Sequence, residues 1–211
     1  MIWLFIMIEI GLFAAGIYLI NKYDKEAGIQ VSFKEYVTIG LIFAMTEIVL
    51  FSFYGYGREF GCHRLVMFYL IFAAYVDQKT KQVYRIGSIA FILLSVGIFV
   101  SVKDMSGYER VERTICILIF CVLSIMQGTL GWMGWGDVFT YIGAFFWLGS
   151  RDCECMILEL LAAYMLLANV LFLIFNIRKF DWKKKTMKEE TAFLPGMAGA
   201  MMILELSMML I

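Results

Sequence analysis

The chain is organised as long apolar runs separated by short polar stretches. Eight of these runs, at about 2–20, 37–54, 63–77, 86–102, 114–131, 137–150, 156–176 and 191–211, are wholly or nearly long enough to span a bilayer, which takes about 20 apolar residues. The pattern predicts an all-α, polytopic transmembrane bundle of about eight spans. It divides into two N-terminal helices with a short connecting loop (1–62), a central four-helix region (63–150) and two C-terminal helices (151–211). The first run lacks a basic leader and a small-x-small cleavage site, so it is expected to be a retained span and not a signal peptide.

Composition agrees. Hydrophobic residues make up 62% of the 211 positions and charged residues 17%, far too apolar for a water-soluble domain of this length. Formal net charge is zero, so no global basic field is available for nucleic acid. The basic cluster "RKFDWKKKTMK" (178–188) is expected to be a loop held to anionic lipid headgroups.

The cations are unevenly placed. With the N-terminus outside, loops 21–36 (Lys22, Lys25, Lys34), 77–85 (Lys79, Lys81, Arg85) and 177–190 (Arg178, Lys179, Lys183, Lys184, Lys185, Lys188) hold twelve of the 18. Arg58, Arg64, Lys103, Arg110, Arg113 and Arg151 fall on the other side, and the positive-inside rule assigns the richer side to the cytoplasm. Both termini are then expected outside a cytoplasmic (inner) membrane.

Two aspartates stand apart from the rest. Asp24, Asp104, Asp152 and Asp181 belong to charged loops, whereas Asp77 closes the apolar run "LVMFYLIFAAYVD" and Asp137 opens "DVFTYIGAFFWLG". Both are placed at the cytoplasmic membrane boundary. Runs 63–77 and 137–150 reach only about 22 and 21 Å as helices, against a hydrocarbon core of about 30 Å. That shortness predicts a recessed, partly dehydrated site, where an ionisable group is costly to keep.

Two carboxylates close together in such a site would share a proton. One then activates water while the other polarises a scissile carbonyl and protonates the leaving amine. No metal, cofactor or covalent intermediate is required. Gly134 and Gly136, around Trp135, are expected to supply a positive φ or a close backbone approach just before the Asp137 helix, whose dipole would favour the carboxylate. The plainer reading of "GWGD" is a turn followed by a helix-capping aspartate.

"AAYVDQKTKQVYRIG" (73–87), followed some 50 residues later by "GWGDVFTYIGAFFWLG" (134–149), resembles the paired signature of the type IV prepilin peptidases, GxGD membrane aspartyl proteases. "TAFLPGMAGAMM" (191–202) is similar to that family's Phe-x-Pro segment opening the last helix. The resemblance implies that Asp77 and Asp137 are the catalytic aspartates, that Gly134 and Gly136 are the motif glycines, and that Pro195, the sole proline, supports the motif. It makes 63–150 a peptidase core and implies a prepilin or pseudopilin substrate, cut at the cytoplasmic face between a short basic leader and a hydrophobic helix. Val83 and Tyr84 stand where the family usually has Ile-Pro, and Phe139 where it has Lys. The interval 21–36 replaces a larger insert with two Cys-x-x-Cys pairs, so no methyltransferase-linked module is implied.

Two other readings compete. A presenilin-like intramembrane protease also uses GxGD but would cut deep in a substrate helix, which the basic "DQKTK" after Asp77 argues against. A non-catalytic membrane scaffold would bind pilin-like helices without cutting them. Glu9, Glu47, Glu159 and Glu205 lie within spans and are expected to pair between helices or line a substrate groove, Glu47 being nearest mid-span. His63, the only histidine, is expected on the outer side, so neither a metal site nor a nucleophile–histidine pair is expected. Cys62, Cys116, Cys121, Cys153 and Cys155 form no Cys-x-x-Cys and are expected to be packing residues. The sequence does not set an oligomeric state.

Overall fold

The computed structural model of the protein describes residues 2–102, 105–151, 156–177, 180–181, 186–187 and 191–210. Lys103, Asp104, Asp152, Cys153, Cys155, Arg178, Lys179, Lys183, Lys184, Lys185 and Lys188 lie outside the described residues. The described chain forms eight α-helices: α1 (Ile2–Tyr23), α2 (Phe33–Tyr54), α3 (Arg58–Thr80), α4 (Arg85–Ser101), α5 (Gly107–Thr129), α6 (Trp135–Gly149), α7 (Ile157–Asn176) and α8 (Leu194–Leu210). A two-residue antiparallel ladder, β1 (Phe180–Asp181) with β2 (Thr186–Met187), lies between α7 and α8. Five helices, α1, α2, α3, α5 and α7, are long and apolar enough to cross a membrane. The protein is an α-helical membrane bundle.

Helix ends depart from the apolar runs because local hydrogen bonds, not apolarity, set them. Helix α2 starts at Phe33, before its run, because Ser32 caps it. The Ser32 Oγ accepts from Glu35 N (3.3 Å) and Glu35 Oε2 accepts from Ser32 N (2.7 Å). Helix α5 starts at Gly107, where Ser106 Oγ accepts from Glu109 N at 3.2 Å. Helix α3 overturns an expectation: its 23 residues reach about 34 Å, so Asp77 is not the end of a short helix but lies in the last turn of a full-length one. Helix α6, at 15 residues, is short as expected.

The chain forms two compact units, divided between Phe72 and Ala73 within α3. In the first, the rings of Phe13, Phe43, Phe68 and Phe72 pack together. A charged knot joins its three helices. Arg64 of α3 reaches Glu9 of α1 (3.0 Å), Glu47 of α2 (2.6 Å) and the Phe5 carbonyl (3.1 Å), with its guanidinium over the Phe5 ring. Buried carboxylates are tolerated only when paired in this way. The interhelical pairing expected for Glu9 and Glu47 is therefore present. Arg64, assigned from sequence to an outer loop, lies inside a helix.

The second unit is built around α6. Val138, Tyr141, Ala144, Phe145, Trp147 and Leu148 are all buried, so this short helix is enclosed by protein rather than facing lipid. Its C-terminal carbonyls are met by Arg113 of α5, which donates to Gly149 O (3.0 Å) and Arg151 O and pairs with Glu109 (2.7 Å). Arg113 too is a helical and not a loop cation. Trp147 Nε1 donates to Glu205 Oε1 of α8 at 2.8 Å, so Glu205 also pairs between helices. Glu159 is exposed. Helix α8 lies hard against α7: a Cβ on Gly196 would fall 2.8 Å from Ala168 O and 2.9 Å from Phe172 N.

Candidate active site

Asp77, one turn before the end of α3, is 3% exposed. Its Oδ2 accepts the Leu194 N–H at 2.9 Å, and the Phe193 backbone also hydrogen-bonds to it. These amides are the first of α8, donors that a helix leaves unsatisfied and that favour an anion. Pro195 follows within the first turn, where a missing N–H removes no helical bond. The 193–195 segment thus has a local explanation, a helix start aimed at a carboxylate. Helix α3 then stops at Lys81, whose φ of 56° turns the chain and whose N–H bonds Asp77 O at 2.8 Å.

Asp137 lies in the first turn of α6 and is 8% exposed. Its Oδ2 accepts the N–H of Gly134, the residue that caps the helix, at 3.2 Å. Its Oδ1 is buried with no hydrogen-bond partner among the described residues.

Of the two expected glycine roles, the close backbone approach is present at Gly136 and a positive φ at neither motif glycine. Gly134 has φ −70° and ψ 151°, ordinary extended backbone, and the positive φ of this turn belongs to Gly131 (73°). Gly136 provides the close approach: a Cβ there would lie 2.3 Å from the Val83 Cβ and 3.0 Å from Val83 O. Val83 belongs to the short loop after Asp77, so the absence of a side chain at 136 lets the loop behind one aspartate seat against the helix bearing the other. Ser88 of α4 adds bonds to Gly136 O (3.5 Å) and Thr140 Oγ1 (3.4 Å).

Asp77 and Asp137, sixty positions apart in the chain, are both buried and lie within electrostatic reach of each other. Both belong to the second unit, as do Gly134, Gly136 and Pro195. Glu47 belongs to the first, where Arg64 engages it. His63 is buried there, stacked on Tyr54 with ring centroids 4.2 Å apart. Among the described residues no group of three or more His, Cys, Asp or Glu is placed to hold a metal ion.

Sequence reasoning missed four residues around the two aspartates. The Phe193 and Leu194 amides carry no side-chain signature, and Val83 gains meaning only from its contact with Gly136. Tyr141 had a signal, its position four residues beyond Asp137 on one helix face. Comparisons with protein-family models, curated proteins and solved structures find no match to this chain.

Proposed function

We propose that the protein is a membrane aspartyl endopeptidase of the GxGD type that removes a short basic leader from a prepilin- or pseudopilin-like substrate helix. The observation that carries this reading is that Asp77 and Asp137 are both buried within electrostatic reach of each other, one Asp137 oxygen having no partner among the described residues. One carboxylate takes a proton from water as its oxygen attacks the scissile carbonyl carbon. The other gives a proton to the carbonyl oxygen; on collapse of the tetrahedral intermediate it takes that proton back, while the first carboxyl passes the proton from water to the leaving nitrogen, which departs as the amine. The roles belong to the pair and are not divided between its members.

In this reading the dyad faces the cytoplasm, with both chain termini outside the inner membrane. Support comes from the distribution of cations and from chain direction, since the end of α3 and the starts of α6 and α8 all belong to that side in the proposed topology. The substrate's basic leader would remain at the headgroups while its apolar helix lies in lipid.

The test is cleavage of a prepilin-type reporter in membranes containing the protein. Asp77→Asn and Asp137→Asn should each abolish product while the protein accumulates to the wild-type level. Continued cleavage by the double Asn variant ends the proposal.

A further inference from the structure

Tyr141 is fully buried, yet its hydroxyl has no hydrogen-bond partner among the described residues. It lies four residues after Asp137 on α6, and helical side chains lean toward the N-terminus, so the ring leans over the turn carrying that carboxylate. The two groups are near enough to interact electrostatically. Asp137 Oδ1 is the complementary orphan, a buried acceptor without a donor. A lone buried hydroxyl and a lone buried carboxylate oxygen on one helix face each supply what the other lacks.

The ring is held from three sides, by Phe145 (5.4 Å between centroids), Tyr164 (5.7 Å) and Phe193 (5.9 Å). Phe193 precedes Leu194, the donor to Asp77. The Tyr141 ring therefore packs against the segment that fixes one aspartate and stands on the helix that bears the other.

We propose that Tyr141 is a positioning residue for Asp137: in the working protein its hydroxyl donates a hydrogen bond to Asp137 Oδ1, directly or through one buried water. The catalytic consequence rests on the peptidase reading above, while the hydrogen bond itself does not. Tyr141→Phe removes the hydroxyl and keeps the ring packing. Phe145→Leu disturbs the packing and keeps the hydroxyl.

The first measurement is infrared absorption of the purified protein, in which the Asp137 carboxyl band is identified by its loss in Asp137→Asn. The band should shift in Tyr141→Phe and keep its position in Phe145→Leu. An unshifted band in Tyr141→Phe overturns the proposal whether or not any substrate is cut. The second measurement is reporter cleavage, where Tyr141→Phe should lower kcat about 10- to 100-fold, the size of one hydrogen bond to a charged group, with KM within about 2-fold. Wild-type kcat in Tyr141→Phe, alongside inactive Asp77→Asn and Asp137→Asn, overturns the positioning role and leaves the dyad standing. Cleavage surviving in both Asn variants removes the dyad reading instead, and the infrared band still decides the hydrogen bond.

Discussion

Gly136→Ala tests how the two motifs are seated. The new Cβ would fall 2.3 Å from the Val83 Cβ, 2.8 Å from its Cγ1 and 3.0 Å from its carbonyl oxygen. Carbon atoms rest at about 3.5–4.0 Å, so the gap must open by about 1.2 Å or more. A Val83 rotamer change cannot achieve this, because the Cβ and the carbonyl oxygen move only with the backbone. Overpacking of this kind costs about 1–3 kcal/mol, and the upper half of that range is expected. The displaced residue adjoins Asp137, and a misplacement of about 1 Å at a reacting group costs on the order of 100-fold in rate.

Thermal unfolding in detergent and reporter cleavage read the two effects separately. Val83→Gly in the Gly136→Ala background removes the offending Cβ and Cγ1 and should recover most of the stability and part of the activity. Gly134→Ala is the comparison. Its backbone is open to any residue, and its new Cβ would meet only Asp137 Oδ2 at 3.2 Å, so a loss of about 1 kcal/mol or less is expected. Equal stability of the two Ala variants, or a double variant no better than Gly136→Ala, refutes the close-approach account.

Three further outcomes follow from the packing. Arg64→Ala leaves the Glu9 and Glu47 carboxylates without their shared cation and should cost about 3–5 kcal/mol in detergent unfolding, whereas Glu47→Gln should cost distinctly less. Trp147→Phe removes one donor to the buried Glu205 and should cost about 1 kcal/mol. Glu205→Gln, which keeps an oxygen acceptor, should stay nearer wild type in the same melt. Lys81 occupies the left-handed position after α3 that glycine favours, so Lys81→Gly should stabilise by about 1 kcal/mol. Because Lys81 is also close enough to interact electrostatically with Asp77, reporter cleavage by this more stable variant should fall. Unchanged cleavage would limit Lys81 to the turn.

The all-α bundle was legible because span length is a direct property of apolar runs. Helix ends were not, since Ser32 and Ser106 extend helices through polar sequence by capping them, and α3 begins at Arg58 and ends past Asp77. Asp77 and Asp137 stood out as carboxylates against apolar runs. Their backbone donors could not, because every residue but proline carries the same N–H. Glu9 and Glu47 were recognisable as groups needing partners, but which cation would reach them depended on the folding together of α1, α2 and α3.

The departure at Phe139 bears on how such a dyad can be supported. The proposed aspartates take their hydrogen bonds from the starts of helices: Asp77 from the first amides of α8, and Asp137 from the residue capping its own helix. Amides at a helix start carry partial positive charge without a bulky hydrated head, which suits a buried carboxylate. Phe139 instead packs near Trp135, with centroids 6.3 Å apart. The hydrogen bonds described for Asp77 and Asp137 therefore involve no side chain at position 139. Within the peptidase proposal, the dyad is therefore supported by backbone amides and needs no side-chain cation at position 139.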